Sequence, residues 1–265
     1  MPKEVGRHAR AVRPNRRLRP RGMVVLASVN QRAQFRSHDS STPTVAVVIP
    51  TLNEAENIPH VLDRIPDWIS EIILVDGYST DDTVLVAKQC RSDITIVFQT
   101  GKGKGDAIAA GAQAATSDIV VLLDADGSTD PAEIPRFVAA LRTGADFAKG
   151  SRFITGGGSA DITLIRKWGN RGLATLVNRL FGSKFTDLCY GYFAFWRRCL
   201  PDLNIDCEGF EVEALVALRA LRANIRIVEV ASFETPRMSG TSKLAAKRDG
   251  LRILRTIISE WVRPR

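Results

Sequence analysis

The chain changes character at Thr44. From there, short apolar runs rich in β-branched residues alternate with stretches whose apolar positions recur at helical spacing. Val45–Ile49 is continuous and β-branched, the pattern of a strand buried on both faces. Asn53–Ile65 has helical spacing, Glu71–Val75 reads as a second strand, and Asp81–Cys90 as a helix with Ser79 or Thr80 as its N-cap. Ile94–Phe98 is a third strand. Lys104–Ala115 is a helix of small residues, Asp118–Leu123 a fourth strand, Pro131–Arg142 a helix with proline in its first turn, and Ala145–Lys149 a fifth strand. Strands alternating with helices predict a doubly wound α/β sheet, in which ligands bind at the carboxyl ends of the strands. After the flexible Gly156–Gly158, the spacing predicts a helix over Ile165–Phe181, a strand over Tyr192–Trp196, a helix over Gly209–Leu221 and a strand over Ile225–Val230. A Gly/Ser loop at Met238–Ser242 leads to a final helix ending near Val262. That helix sets Leu244, Leu251, Leu254, Ile258 and Trp261 on one side and Lys247, Arg248, Arg252 and Arg255 on the others. Such a basic amphipathic helix suits either a membrane interface or packing on its own domain. No internal repeat is present.

Charge divides the chain into three. Residues 1–43 hold ten Lys/Arg against two acids, and residues 237–265 hold eight against two, so the segment between them is net acidic although the whole is +8. This argues against a nucleic-acid groove across the body and fits basic ends on an anionic surface or a merely solvated tail. The first 43 residues, rich in Arg, Pro and Ser, read as a disordered tail. A transit peptide, an internal start at Met23, or a nucleic-acid-binding arm are the alternatives. No apolar run approaches the roughly 18–20 residues that span a bilayer. Four scattered cysteines (Cys90, Cys189, Cys199, Cys207) and three histidines offer no zinc or redox spacing. A reduced, cytoplasmic compartment is expected, at most peripheral on the inner face of a membrane.

Three strand ends carry polar clusters: Pro50-Thr51-Leu52-Asn53-Glu54, Asp76-Gly77-Tyr78-Ser79-Thr80-Asp81, and Asp124-Ala125-Asp126-Gly127-Ser128. A parallel sheet brings all three to one rim. In extended chain, residues i and i+2 point the same way, so Asp124 and Asp126 face one site. Two adjacent carboxylates repel unless a cation lies between them. Mg²⁺ or Mn²⁺ suits such oxygens, with substrate phosphates completing the shell. Capping of the next helix by Asp126 or Ser128 is the bland alternative. Gly101-Lys102-Gly103-Lys104-Gly105 before a helix is either a phosphate contact or a flexible turn; it matches neither the P-loop nor G-x-G-x-x-G. Glu211 and Glu213 read equally well as a solvated helix face.

The motifs I-P-T-L-N-E (Ile49–Glu54), V-D-G-Y-S-T-D-D-T (Val75–Thr83), G-K-G-D-A (Gly103–Ala107), D-A-D-G-S-T-D-P (Asp124–Pro131), G-S-R-F (Gly150–Phe153), G-F-E-V-E (Gly209–Glu213) and R-M-S-G-T-S-K-L (Arg237–Leu244) occur in one order. Over about Val45–Leu244 the chain resembles family 2 glycosyltransferases of the GT-A fold, the kind that includes dolichyl- and polyprenyl-phosphate hexose synthases.

The resemblance implies a catalytic domain over 44–243, a basic amphipathic helix over 244–265, and a mostly parallel Rossmann-like sheet with helices on both faces. It implies inverting transfer of a hexose from a nucleotide-sugar donor, of GDP-mannose or UDP-glucose type, to a polyprenyl or dolichyl phosphate. Pro50, Leu52, Asn53, Glu54 and Asp76 match donor-binding positions. Asp124, Ala125 and Asp126 match the segment at the metal and diphosphate, with Ser128 a third metal position. Arg152 and Arg166 match cationic positions near the acceptor or sugar phosphates. Arg237, Ser242 and Lys243 match a basic loop that closes over the donor, so that Lys243→Ala is expected to lower transfer at least tenfold. Asp187, with Glu208 or Glu211 behind it, is the candidate base for a hydroxyl acceptor.

The departures are Gly77 where a second aspartate is common, Ser128 where Gln or His is usual, Thr186–Gly191 in place of an Asp-x-Thr-Gly run, and the lack of C-terminal membrane helices. Transfer to a hydroxyl of a glycan or small molecule is the alternative. A sugar-phosphate nucleotidyltransferase lacks support because its glycine-rich basic first loop is missing, and a regulatory or nucleic-acid-binding protein leaves Asp124 and Asp126 unexplained.

Overall fold

A computed structural model describes residues 24–25, 42–241 and 244–264. The expectations for the rest of the N-terminal tail, and for Ser242 and Lys243, lie outside the described residues. The strands are β1 (Val24–Val25), β2 (Val45–Thr51), β3 (Glu71–Asp76), β4 (Thr95–Phe98), β5 (Ile119–Leu122), β6 (Phe147–Ser151), β7 (Gly158–Ser159), β8 (Phe193–Trp196), β9 (Ile227–Ala231) and β10 (Phe233–Glu234). The helices are α1 (Ile58–Asp63), α2 (Thr83–Cys90), α3 (Gly103–Ala114), α4 (Ile134–Arg142), α5 (Leu164–Phe181), α6 (Leu200–Leu203), α7 (Val212–Arg222) and α8 (Ala246–Val262).

The main sheet has the order β1-β9-β6-β8-β5-β2-β3-β4. All its pairings are parallel except those of β8, which runs antiparallel between β5 and β6. Val24–Val25 adds a parallel edge to β9 at Val228 and Glu229, a pairing that the reading of residues 1–43 as a tail does not foresee. The strands alternate their side chains between two cores. Ala46, Val48, Ile73, Val75, Val120 and Leu122 face one, with α3, α5, α7 and α8. Val45, Val47, Ile49, Ile72, Leu74 and Val121 face the other, with α1 and α4. Each fully buried aliphatic side chain contributes about 1.5–3 kcal/mol, and helices on both faces explain why these strands read as unbroken apolar runs.

Several expected boundaries move. The helix expected from Asn53 begins only at Ile58. Asn53 adopts a left-handed φ of 56°, and the Glu54 and Ala55 amides donate to Thr83 Oγ1 and Asp81 Oδ2. The second helix starts at Thr83 after Asp82, not after Ser79 or Thr80. Both of those residues are tied back to the first loop: the Asn53 amide donates to Ser79 Oγ, and the Thr80 amide donates to Asn53 Oδ1. Asp130, rather than Asp126 or Ser128, caps the turn before α4, accepting from the Ala132 amide.

Helix α8 departs most. The side expected to be apolar is left outside: Leu251, Ile258 and Trp261 are all exposed. The buried side holds Asp249, Ile253, Ile257 and Glu260. Glu260 accounts for the difference, because it accepts from Arg219 of α7 at 3.0 Å, while Arg222 donates to its carbonyl.

Candidate active site

The carboxyl ends of β2, β3 and β5 open on one cleft of roughly 440 Å³, with Pro50, Leu52, Glu54, Gly77, Asp124 and Asp126 among its lining. The three clusters therefore converge as the parallel pattern requires. Helix α3 closes one wall through Lys102, Gly103 and Lys104. The far wall comes from Glu208–Phe210, Arg237 and the start of α8, with Arg248, Asp249 and Arg252. Gly103 has a φ of +81°, and a Cβ there would lie 2.2 Å from the Glu208 carbonyl oxygen. Only glycine allows this approach.

Each aspartate of the pair faces its own cation. Asp124 meets Lys104 Nζ at 2.7 Å. Asp126 accepts from the Ser128 amide and hydroxyl on one oxygen and from Arg237 Nη1, at 3.0 Å, on the other. Arg237 also pairs with Glu54, whose other oxygen accepts from Asn57 Nδ2. Two backbone bonds dock the Arg237 segment on the aspartate turn: the Thr235 amide donates to the Ser128 carbonyl and the Met238 amide to the Asp126 carbonyl. Gly127 permits that seat, since its φ is +75° and a Cβ would meet Met238 Sδ at 2.7 Å.

Lys104 and Glu213 are the site residues that sequence reasoning left open. Lys104 Nζ also donates to Glu213 at 2.9 Å. Burial works against its charge, yet Asp124 and Glu213 outweigh it and hold the ammonium above the ordinary lysine range. Burial in turn pushes the Glu213 carboxyl up, against the pull of Lys104. Glu213 is 4% exposed, so the solvated-face reading is corrected for it. The signal was present in the Gly-Lys-Gly run, but a partner 109 residues away is invisible to local pattern.

The remaining expected residues fall elsewhere. Asp76 is buried under the cleft, accepting from the Ser79 amide, and its second oxygen has no partner. Asn53 builds the loop beside it. Arg152 is buried and spent: it makes two bonds from its guanidinium to Asp187 and one to each Glu234 oxygen. Arg166 reaches Asp161 at 3.1 Å and Glu234 at 3.7 Å. This cluster is separate from the residues lining the cleft. The expectation of Asp187 as a free base is corrected, because its carboxylate is wholly buried and both oxygens accept from Arg152. Glu211 accepts from the Gly209 amide, and Glu208 is exposed at the rim.

Asp124 and Asp126 form a small, hard-oxygen donor set that lines the cleft with side chains 24% and 22% exposed. Among the described residues no group of three or more His, Cys, Asp or Glu forms a closed metal cage. Two carboxylates with an open side suit Mg²⁺ or Mn²⁺, which take remaining ligands from substrate phosphates and water. The residues fit such an ion. The Ser128 hydroxyl is already given to Asp126, so it orients that carboxylate.

A parallel sheet whose switch of strand order opens a cleft lined by acids and cations is the layout in which α/β enzymes bind their ligands. The chain belongs to glycosyl transferase family 2, whose model matches residues 46–203. It is similar to a polyprenol monophosphomannose synthase of Mycolicibacterium smegmatis, 30% identical over 87% of this chain and 93% of that one. It is also similar to an undecaprenyl-phosphate mannosyltransferase of Micrococcus luteus, 32% identical over 76% and 87%. A dolichol-phosphate mannosyltransferase of Pyrococcus furiosus is 30% identical over 77% of this chain, which spans 60% of that longer relative. In structure it resembles glucosyl-3-phosphoglycerate synthase from Mycobacterium tuberculosis, solved with Mn²⁺, uridine diphosphate and phosphoglyceric acid. There the TM-score is 0.68, at 23% identity over 84% and 80% of the two chains. The sheet is thus that of a GT-A glycosyltransferase.

Proposed function

We propose that the protein transfers a hexose from a nucleotide-sugar donor to a polyprenyl or dolichyl phosphate, with inversion. The observation that carries this reading is the pairing of two cleft-facing aspartates with Lys104 and Arg237, where a diphosphate would sit. The names of the relatives support the acceptor class. In a single displacement the acceptor oxygen bonds to the anomeric carbon while the bond to the nucleotide diphosphate oxygen breaks. Negative charge then grows on the departing diphosphate. Lys104 and Arg237 present cations at that point, fixed in place before the reaction, which is where electrostatic stabilisation acts most strongly. A divalent ion held by Asp124 and Asp126 would neutralise further diphosphate charge. Glu54 and the loop at Ser239 hold the Arg237 guanidinium in register.

The state of Asp187 favours a phosphate over a hydroxyl acceptor. A phosphate monoester is ionised near neutral pH, its second pKa being about 6, and needs no strong base. A hydroxyl needs one; the first candidate, Asp187, is fully engaged by Arg152, which leaves Glu208 at the rim and Glu211 for that role. The acceptor lipid places the reaction at a membrane surface. Release of nucleoside diphosphate from a panel of GDP- and UDP-hexoses, with and without undecaprenyl phosphate and Mn²⁺, tests the reading. Stimulation by the lipid phosphate and formation of a lipid-linked hexose are expected. Efficient transfer to water-soluble hydroxyl acceptors with indifference to the lipid would replace it.

A further inference from the structure

Helices α5 and α8 pack on one another and share a core through Ala174, Val177, Ile253 and Ile257. Their outward sides are unlike the rest of the surface. Leu164, Ile165 and Trp168, in the first turns of α5, are 73%, 78% and 66% exposed, and Leu251, Ile258 and Trp261 on α8 are 57%, 49% and 53% exposed. Large apolar side chains outside a core cost solvation and mark an interaction surface when they gather.

The charge beside them has one sign. Helix α5 carries Arg166, Lys167, Arg171 and Arg179 and no acid. Helix α8 carries Lys247, Arg248, Arg252 and Arg255 outside, while its two acids, Asp249 and Glu260, are 1% and 3% exposed. The ion pairs of Glu260 with Arg219 and Arg222 draw that acid inward beside Ile253 and Ile257. The two helices therefore present tryptophan, aliphatic and cationic groups to the outside with their own acids withdrawn, while Asp161, just before α5, pairs with Arg166.

From this geometry, and resting on the lipid-phosphate acceptor proposed above, we propose that α5 and α8 together form a docking surface for an anionic lipid bilayer. Apolar groups enter the acyl boundary and the basic residues meet headgroup phosphates. The occupant is a bilayer because the outward charge of both helices is basic and the apolar groups are dispersed among cations rather than forming a closed groove. No helix among the described residues is long and apolar enough to cross a membrane, so these two lie on the surface. Arg248, Asp249 and Arg252 of the same α8 line the mouth of the cleft. Docking through α8 thus brings the donor cleft to the headgroup layer.

The test uses the full chain and vesicles without acceptor lipid. Co-sedimentation is measured with phosphatidylglycerol and with phosphatidylcholine vesicles for wild type, Ile165→Ser/Trp168→Ser and Leu251→Ser/Trp261→Ser, all four positions being solvent-facing. The wild type should partition at least tenfold better to the anionic vesicles and lose that preference at 0.5 M salt. Each double variant should fall at least tenfold while keeping its melting temperature. Equal partition of wild type and both variants overturns the proposal, as does a wild-type dimer that both variants break while vesicles go unbound, which would make a second copy the occupant. Transfer to a detergent-dispersed short-chain polyprenyl phosphate separates the two readings. Vesicle binding without any transfer leaves the surface standing and removes the acceptor assignment, and transfer without vesicle binding does the opposite.

Discussion

Arg237 Nη1 lies 3.0 Å from Asp126 Oδ2 across 111 residues of sequence. The same guanidinium pairs with Glu54 of the first loop and donates from Nε to the Ser239 carbonyl. One cation thus bridges the loop after β2, the aspartate turn and the loop at Ser239. Arg237→Ala should lower kcat/KM about a hundredfold, equivalent to losing roughly 2.7 kcal/mol of transition-state stabilisation. The far-ultraviolet circular dichroism should be unchanged. Arg237→Lys should recover only part of the rate, because an ammonium cannot span Glu54 and Asp126 as the planar fork does. Wild-type kinetics in Arg237→Ala would remove this residue from the donor site.

The two aspartates share their cations with neighbouring acids, Asp124 with Glu213 through Lys104 and Asp126 with Glu54 through Arg237. Asp124→Asn and Asp126→Asn should each reduce turnover on the order of a thousandfold, the several kcal/mol that a polarising divalent ion contributes. The Mn²⁺ concentration for half-maximal rate should rise in both. Initial velocities across a Mn²⁺ series give the answer, and undiminished wild-type turnover in excess chelator would exclude the ion.

Lys104 sits between Asp124 and Glu213 with only 14% of its side chain exposed. Removing one partner from a buried pair leaves an uncompensated charge and costs about 3–5 kcal/mol. Lys104→Met should therefore destabilise strongly in urea unfolding. Lys104→Met/Glu213→Leu should be more stable than Lys104→Met alone. Additive losses in the double variant would show that the two residues do not act as a pair.

The Arg152 cluster is a separate buried network that ties β6 to Asp187 and Glu234. Arg152→Met strands both acids, and a fall of several degrees in Tm, from a loss of about 3–5 kcal/mol, is expected. A melt that does not move would mean that the acids find other partners.

Arg226 first, and Arg198 after it, hold the Asp146 carboxyl below the usual carboxylate range. Its folded pKa lies under its unfolded one, so its contribution is complete above about pH 4 and is lost as pH falls through the folded value. Asp146→Asn should lower stability at pH 7, and the gap from wild type should close in acid. Denaturant midpoints from pH 7 to pH 2.5 would show it; a gap that stays constant would contradict the assignment.

The legible part of the fold is its buried sheet. Val45–Ile49 and Ile119–Leu122 are apolar on both faces because helices cover both, and a continuous run records that directly. The convergence of the three polar clusters followed from parallel pairing alone. What local pattern misses is settled by distant partners. Asn53–Asn57 is held open by Asp81 and Thr83, so helical spacing there does not become helix until Ile58. Phe193–Trp196 carries nothing to distinguish an antiparallel from a parallel strand. Arg152 and Asp187 looked like two reactive groups and are each other's partners. On α8, Glu260 and Asp249 take the inside because Arg219 waits for one and the Ala245 amide for the other, and the hydrophobic stripe is displaced outward.

The backbone seam between Thr235–Met238 and Asp126–Ser128 has one more implication. The segment that carries Arg237 into the cleft is stitched to the turn that carries Asp126, by Met238 to Asp126 and Thr235 to Ser128. Peeling that segment away withdraws the arginine counter-charge and frees the turn in the same event. Under the proposed reading, release of the nucleotide and of an ion beside it would be coupled through these two bonds.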